Sequence, residues 1–419
     1  MGCRHLGSHG KVCDPCKFML ITLMGGFVMS DKIRVLYDDG GFTLPYGGVA
    51  RYFTEMLKRF PDDIAWQFGM VNTGNIYLQK PPYNMPPPKQ DVHDFIKNTL
   101  KGHSFRGVSY LYQMLARLMP KRFPSGELAN KRALVQAFKK CDFDVLHVTA
   151  PHPVSDTWHP VVGKRPIVVT VYDLIPEIIN RSKRVAKCRK KLLNDVTHII
   201  AISEKTKIDM MRLYGVPEAK ISVIHLGYLK QDGDASIDPP IPSPYILFVG
   251  RRDGYKNFQF FVEAIAPLLK TTDLMLFCTG GSFTAAEVTR FEKLGVADKV
   301  QQRFIEDEQM PSLFRNALTF VFPSIYEGFG LPILDAFSAG CPVILSNCSC
   351  FPEVGGDAAL YFAEGDAETL RTHILNLMKD KALRQTLIEK GLKRAELFTW
   401  EKCSELTAKV YREVTHGIR

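Results

Sequence analysis

The stretch Ser324-Ile325-Tyr326-Glu327-Gly328-Phe329-Gly330-Leu331-Pro332-Ile333-Leu334-Asp335-Ala336 follows a short apolar run, Thr319–Phe322, and leads into a helical pattern. A β-type run, a glycine-rich loop and a helix start form one unit of a parallel α/β domain. Pro332 suits the first helical position. Asp335 is then expected within the first helical turn, where its charge also favours the helix dipole. Glu327 stands in the loop before it. Two carboxylates thus flank a glycine loop and a helix N-terminus. Amides at such an end hold phosphate, and carboxylates accept hydrogen bonds from sugar hydroxyls. Asp335 alone also fits a plain dipole residue, so the constellation carries the reading.

The same unit recurs on both sides of this stretch. Expected strands are Ile33–Tyr37, Val145–Thr149, Ile167–Tyr172, His198–Ile202 and Ile221–His225, then Tyr245–Val249, Leu274–Cys278, Val300–Phe304, Thr319–Phe322 and Val343–Leu345. Helical patterns alternate with them, the signature of parallel α/β domains. The Asp/Pro/Ser-rich stretch Asp232–Pro244 reads as a linker between two halves. The expected organisation is an extension over 1–28, a Rossmann-like domain over 29–230, a linker over 231–244 and a second Rossmann-like domain over 245–398. A helix over 399–419 is expected to pack back on the first domain. In open α/β sheets the ligand crevice lies outside the carboxyl ends of the strands. The chemistry belongs on loops after strands, facing the cleft.

Three further motifs occupy such loops. Tyr46-Gly47-Gly48-Val49-Ala50-Arg51-Tyr52-Phe53 places Gly47 and Gly48 at a helix start, fit either for phosphate approach or for a tight turn. Gly250-Arg251-Arg252-Asp253-Gly254-Tyr255-Lys256-Asn257 lets Arg251 and Lys256 converge on one anion, or form a solvated basic loop. Val171-Tyr172-Asp173-Leu174-Ile175-Pro176-Glu177 puts Tyr172 and Asp173 at a strand end, for ligand hydroxyls or for capping a turn.

Composition bounds the class. The chain has 419 residues, 46% hydrophobic and 23% charged, ordinary for a folded globular protein. Its 54 Lys+Arg against 44 Asp+Glu leave a net charge of +10, which favours an anionic partner. No reader signature for nucleic acid is present, so no nucleic-acid partner is expected. Cys278 and Cys341, two of ten cysteines, sit in apolar runs, which points to a reduced, cytoplasmic setting. Near the start, Cys3, His5, His9, Cys13 and Cys16 lack the second half of a zinc pattern. Phe18–Val28 is short for a spanning helix. The expectation is that translation begins at Met29 and that 1–28 is a non-native or disordered extension.

These motifs together resemble the family 4 glycosyltransferases of the GT-B fold, over nearly the whole chain from Ile33. The resemblance rests on Gly47-Gly48 with Arg51-Tyr52, on Asp173 through Glu177, on Gly250-Arg251 with Lys256-Asn257, and on Glu327 through Pro332. Ala339-Gly340-Cys341-Pro342-Val343 and Pro352 through Ala359 add to it. It implies retaining transfer of a sugar from a nucleoside diphosphate, with no metal and no cofactor. It also implies roles: Glu327 on the donor sugar, Arg251 and Lys256 on the diphosphate, and Gly48 as its point of approach. Phe329, Gly330 and Leu331 would hold sugar or phosphate, and Asp335 the ribose. The acceptor would sit mainly on the first domain.

Two positions depart from the family pattern. Asp335 stands where Glu is usual, shorter by about 1.5 Å. Tyr172 stands where a His expected to touch the donor sugar is usual; it keeps a hydroxyl but places it farther out and lacks an imidazole base, so altered sugar preference or a lower rate is expected. The Gly-Gly-x-x-Arg-Tyr pattern resembles bacterial polysaccharide mannosyltransferases, so GDP-mannose is the first expected donor and UDP-sugars the second. A sugar-nucleotide binder without turnover, or a GT-B phosphorylase or epimerase, are the alternatives. Basic tracts in residues 97–140 and Arg181–Lys191 fit a solvated face, or contact with an anionic membrane that carries a lipid-linked acceptor.

Overall fold

The computed structural model describes residues 32–88, 126–150, 162–230, 241, 244–252 and 254–416. The Cys3–Cys16 cluster, the Phe18–Val28 run, most of the linker and the basic tract up to residue 125 lie outside the described residues.

Two parallel sheets carry the fold. The first joins β1 (Ile33–Tyr37), β2 (Ile64–Phe68), β3 (Val145–Val148), β4 (Ile167–Val171), β5 (His198–Ala201) and β6 (Ile221–Val223), in the order β2-β1-β3-β4-β5-β6. The second joins β7 (Tyr245–Phe248), β8 (Met275–Cys278), β9 (Val300–Gln302), β10 (Thr319–Phe322), β11 (Val343–Ser346) and β12 (Ala359–Phe362), in the order β12-β11-β10-β7-β8-β9. Every expected strand is present, several of them one or two residues shorter. The edge strand β2 and the edge strand β12 were not expected.

The central strands are buried along their length, as β3, β4, β7, β10 and β11 show. This is why they read as continuous apolar runs rather than alternating ones. Among the longer helices are α1 (Gly48–Leu57), α2 (Gly126–Lys140), α3 (Lys183–Asp195), α4 (Glu204–Tyr214), α5 (Phe258–Thr271) and α6 (Ala285–Leu294). They continue with α7 (Leu331–Ser338), α8 (Ala367–Lys379), α9 (Lys381–Ala395) and α10 (Trp400–His416). Local chemistry sets their ends. Ser203 caps α4 by accepting from the Thr206 amide, and Gly215 ends it in the left-handed region.

Sheet order reverses between β1 and β3 and between β7 and β10. These are the topological switch points where α/β sheets bind ligands. One continuous apolar core runs through both halves, from Tyr37 and Phe53 to Phe322 and Phe337, and takes in Trp400 and Tyr411. The helix α10 crosses back onto the first half. Its Ser404 hydroxyl donates to the Met56 carbonyl at 2.5 Å. Its Tyr411 hydroxyl meets the Tyr37 hydroxyl at 2.6 Å and His147 Nδ1 at 2.5 Å. Burial holds the His147 imidazole neutral, with its pKa lowered to about 3. Among the described residues, no helix is long and apolar enough to cross a membrane.

Candidate functional site

Among the described residues, the loops after β1, β7 and β10 meet. After β1, Gly47 has φ 112°, a conformation that only glycine adopts without strain, and it caps α1. A Cβ on Gly48 would stand 3.4 Å from the Leu331 side chain, so the first glycine loop lies opposite the start of α7. After β10, Gly330 at φ 99° caps α7, and Pro332 sits in its first turn. Because α7 begins at Leu331, Asp335 lies in the second turn rather than the first.

Glu327 lies in the loop between β10 and α7. It is 8% exposed. Its Oε1 accepts from Lys256 Nζ at 2.7 Å. Its backbone is held at both ends by one hydroxyl: the Glu327 amide donates to Ser349 Oγ at 3.2 Å, and Ser349 Oγ donates to the Glu327 carbonyl at 2.6 Å. Ser349 reaches this position at φ 53°, unusual for a residue with a Cβ. Burial pushes the Glu327 carboxyl above its ordinary pKa, and Lys256 pulls it back. Lys256 in turn packs its ammonium over the Phe322 ring, 4.9 Å from the centroid. A buried carboxylate and a partly buried ammonium paired at hydrogen-bond distance place an acceptor and a cation side by side.

Asp173 belongs to the same group, because Lys256 and Glu327 lie within its electrostatic reach. Burial raises its pKa, and the Ile175 amide and Arg189 oppose that shift. Arg189 was read as one of the basic tract. Instead it is buried, pairs with Glu177 at 2.8 Å and donates to the Asp173 carbonyl. It therefore fixes the Asp173 loop from behind. Lys183, Arg184, Lys187, Lys190 and Lys191 of the tract are exposed.

Several of the expected site residues also make contacts within the protein. The Tyr172 hydroxyl donates to the Thr149 carbonyl, and its ring meets Tyr52 and Phe53 edge-on. It is the Tyr172 carbonyl that faces the Glu327 loop, since a Cβ on Gly328 would stand 1.9 Å from that oxygen. Asp335, expected on ribose, forms a bidentate pair with Arg51, at 2.9 Å and 3.0 Å. Such fork-to-carboxylate pairs are directional and strong. This one joins the two halves directly behind the first glycine loop. Arg251 and Lys256 were expected on one anion. Lys256 is engaged with Glu327, whereas Arg251 borders a hollow of about 510 Å³ shared with Arg252, Gly281 and Glu287. The neighbouring Arg252 is held by Glu287, Gly281 and Ser282 and is structural. Phe329 is buried beside His225, with ring centroids 5.8 Å apart, and so supports the loop from inside.

Reading along the sequence missed Arg51 as a site residue, along with Asp209, Arg189 and Ser349. Each meets its partner only through tertiary docking. Ser349 alone left a faint local trace, in the Asn347-Cys348-Ser349 turn before Pro352.

The sequence profile described as Glycosyl transferases group 1 matches residues 234–394, and that described as Glycosyltransferase Family 4 matches residues 97–228. The O-antigen chain mannosyltransferase B of Escherichia coli is 29% identical over 249 residues, 56% of this chain and 65% of that protein. The O-antigen chain mannosyltransferase RfbU of Salmonella typhimurium is 26% identical over 231 residues, 54% of this chain and 64% of that protein. The chain thus matches somewhat under two thirds of the length of these two relatives. Among solved structures, Anabaena Alr3699/HepE in complex with UDP-glucose superposes with a TM-score of 0.65 at 15% identity, covering 91% of this chain and 100% of that one.

Proposed function

Since the chain belongs to the family 4 glycosyltransferases and has the GT-B fold, we propose that it moves a hexose from a nucleoside diphosphate donor to a glycan or lipid-linked acceptor. The step would belong to surface polysaccharide synthesis and keep the anomeric configuration. GDP-mannose is the first donor, in keeping with the O-antigen mannosyltransferases it resembles. UDP-sugars are the second. The observation that carries the reading is the Lys256–Glu327 pair, with Asp173 beside it, at the switch-strand ends opposite Gly47 and Gly48.

In this mechanism Glu327 accepts hydrogen bonds from donor sugar hydroxyls. Lys256 and the start of α7 stabilise negative charge as it grows on the departing diphosphate, the large electrostatic term of catalysis. The anomeric carbon–phosphate oxygen bond breaks as the bond to the acceptor oxygen forms. The acceptor proton passes to the departing phosphate on the same face, which retains configuration. Arg251 would reach the diphosphate from the loop after β7, and Asp335 the ribose, which requires it to share its carboxylate with Arg51. The second reading is a sugar-nucleotide binder without turnover, motivated by Asp335 and Tyr172 standing where the family pattern has Glu and His.

Thermal denaturation with GDP, UDP, ADP and their sugars separates these readings, run with and without EDTA and followed by product analysis. A ligand at about 100 times its dissociation constant stabilises by about 2.7 kcal/mol. The expected result is a shift with one nucleotide family, unchanged by EDTA, and sugar transfer from that donor. A shift without transfer favours the binder. No shift with any nucleotide sinks both.

We further propose that the exposed basic face of α3 rests on an anionic membrane surface where a lipid-linked acceptor is presented. Each Lys or Arg near such a surface contributes about 1 kcal/mol. The protein is expected to sediment with phosphatidylglycerol vesicles at low salt and to leave them at high salt. Charge reversal of Lys183, Lys187 and Lys190 should abolish sedimentation; retention by that variant counts against the surface.

A further inference from the structure

Glu327 is carried by the second half, but the first half grips its loop. Tyr326, the preceding residue, is buried, and its hydroxyl donates to Asp209 Oδ2 at 2.8 Å. Asp209 lies on α4, in the first half, with no exposed surface. Its other oxygen accepts from Lys205 Nζ at 2.8 Å and from Arg212 at 3.2 Å. Leaving a carboxylate dry is costly unless it is paired and hydrogen-bonded, and here two cations and a phenol satisfy it. The two cations come from its own helix and would suffice to neutralise it. The phenol comes from across the interface and ties it to the residue next to Glu327. On the other side of Glu327, Gly328 lies against the Tyr172 carbonyl, also from the first half.

We propose that Asp209 is a positioning residue for Glu327, acting through Tyr326 across the interface between the halves. The proposal rests on the reading of Glu327 as the residue that meets the donor sugar. Ser349 fixes the Glu327 backbone within the second half, while Asp209 sets where that loop stands relative to the first glycine loop. The site is therefore complete only when the halves are docked, and the grip itself never touches substrate.

Tyr326→Phe removes the one hydroxyl and leaves Asp209 its two cations, so the fold is kept. With GDP-mannose and UDP-glucose as probes, kcat is expected to fall about 10²-fold, the scale of a 1 Å misplacement. The donor KM should stay near the wild-type value. Asp209→Asn keeps an oxygen for the phenol and should retain most of the rate. In parallel, hydrogen exchange on the unliganded protein should quicken at the amides of 326–330 in Tyr326→Phe and stay slow in Asp209→Asn. An unchanged kcat, a loss confined to KM, or unchanged exchange in Tyr326→Phe overturns the proposal. If the wild-type chain turns over neither donor, the transferase reading loses its support separately, and exchange in Asp209→Ala, which removes the acceptor but leaves Tyr326 intact, still decides whether Asp209 fixes the loop: quickening at 326–330 supports it and unchanged exchange overturns it.

Discussion

Replacing Lys256 with methionine is expected to lower kcat/KM for sugar transfer by about 10²–10³-fold, the loss typical when one preorganised charge is taken from a growing oxyanion. The stem of the side chain survives, so its packing on Phe322 is largely kept. What disappears is the ammonium at 2.7 Å from Glu327. Two effects then compound. The departing diphosphate loses a fixed cation, and Glu327 loses the partner that offsets its burial. Its pKa, already raised by burial, should rise further. The neutral acid would accept sugar hydroxyls less well. Breaking a buried pair from one side costs about 3–5 kcal/mol, so a lower melting temperature should accompany the lost rate. The double variant Lys256→Met with Glu327→Gln should regain much of the stability and none of the rate. Steady-state kinetics and thermal denaturation on the three proteins check this; a Lys256→Met enzyme within a few-fold of wild type would remove Lys256 from the mechanism.

Gly328→Ala should be nearly as severe for a different reason. The added methyl would stand 1.9 Å from the Tyr172 carbonyl oxygen and 3.1 Å from the Asp173 Cβ. Backbone lies on both sides of the contact, so no side-chain rotation relieves it. Either the Glu327 loop retreats or the halves separate. Overpacking of this kind costs about 1–3 kcal/mol, and a displacement near 1 Å at the reacting centre costs about 10²-fold in rate. The expected signature is a lower melting temperature together with a kcat loss. Wild-type kinetics in this variant would mean that the halves stand farther apart during turnover than in the structure.

The sequence made some features legible and hid others, for reasons of distance along the chain. Glu327, Asp173 and Lys256 could be found because each follows a buried strand, and strand ends converge by topology alone. The buried strands were legible because their apolar runs are continuous. β2, with Gln67 and Trp66 on a partly exposed edge, and β12, four residues long at the opposite edge, gave no such run. Arg51 and Asp335 are 284 residues apart, and Tyr326 and Asp209 are 117. Nothing local distinguishes those side chains from surface charges or core aromatics. The same holds for Tyr172, whose departure from histidine was visible although its hydroxyl's partner, the Thr149 carbonyl, was not. The Arg181–Lys191 run read as uniform charge, and only the packing of α3 sets Arg189 apart.

The return of α10 to the first half bears on the order in which the protein is made. Tyr411 closes the hydroxyl network with Tyr37 and His147, yet it follows the entire second half in the chain. At about 5–20 residues per second, roughly 10–35 s of synthesis separate β6 from α10. During that interval the first sheet carries a buried histidine and a buried tyrosine without their shared partner. The sheet of the second half and α5 through α9 are already synthesised when α10 emerges, so the hydroxyl network of the first half can close only after the second half has been made.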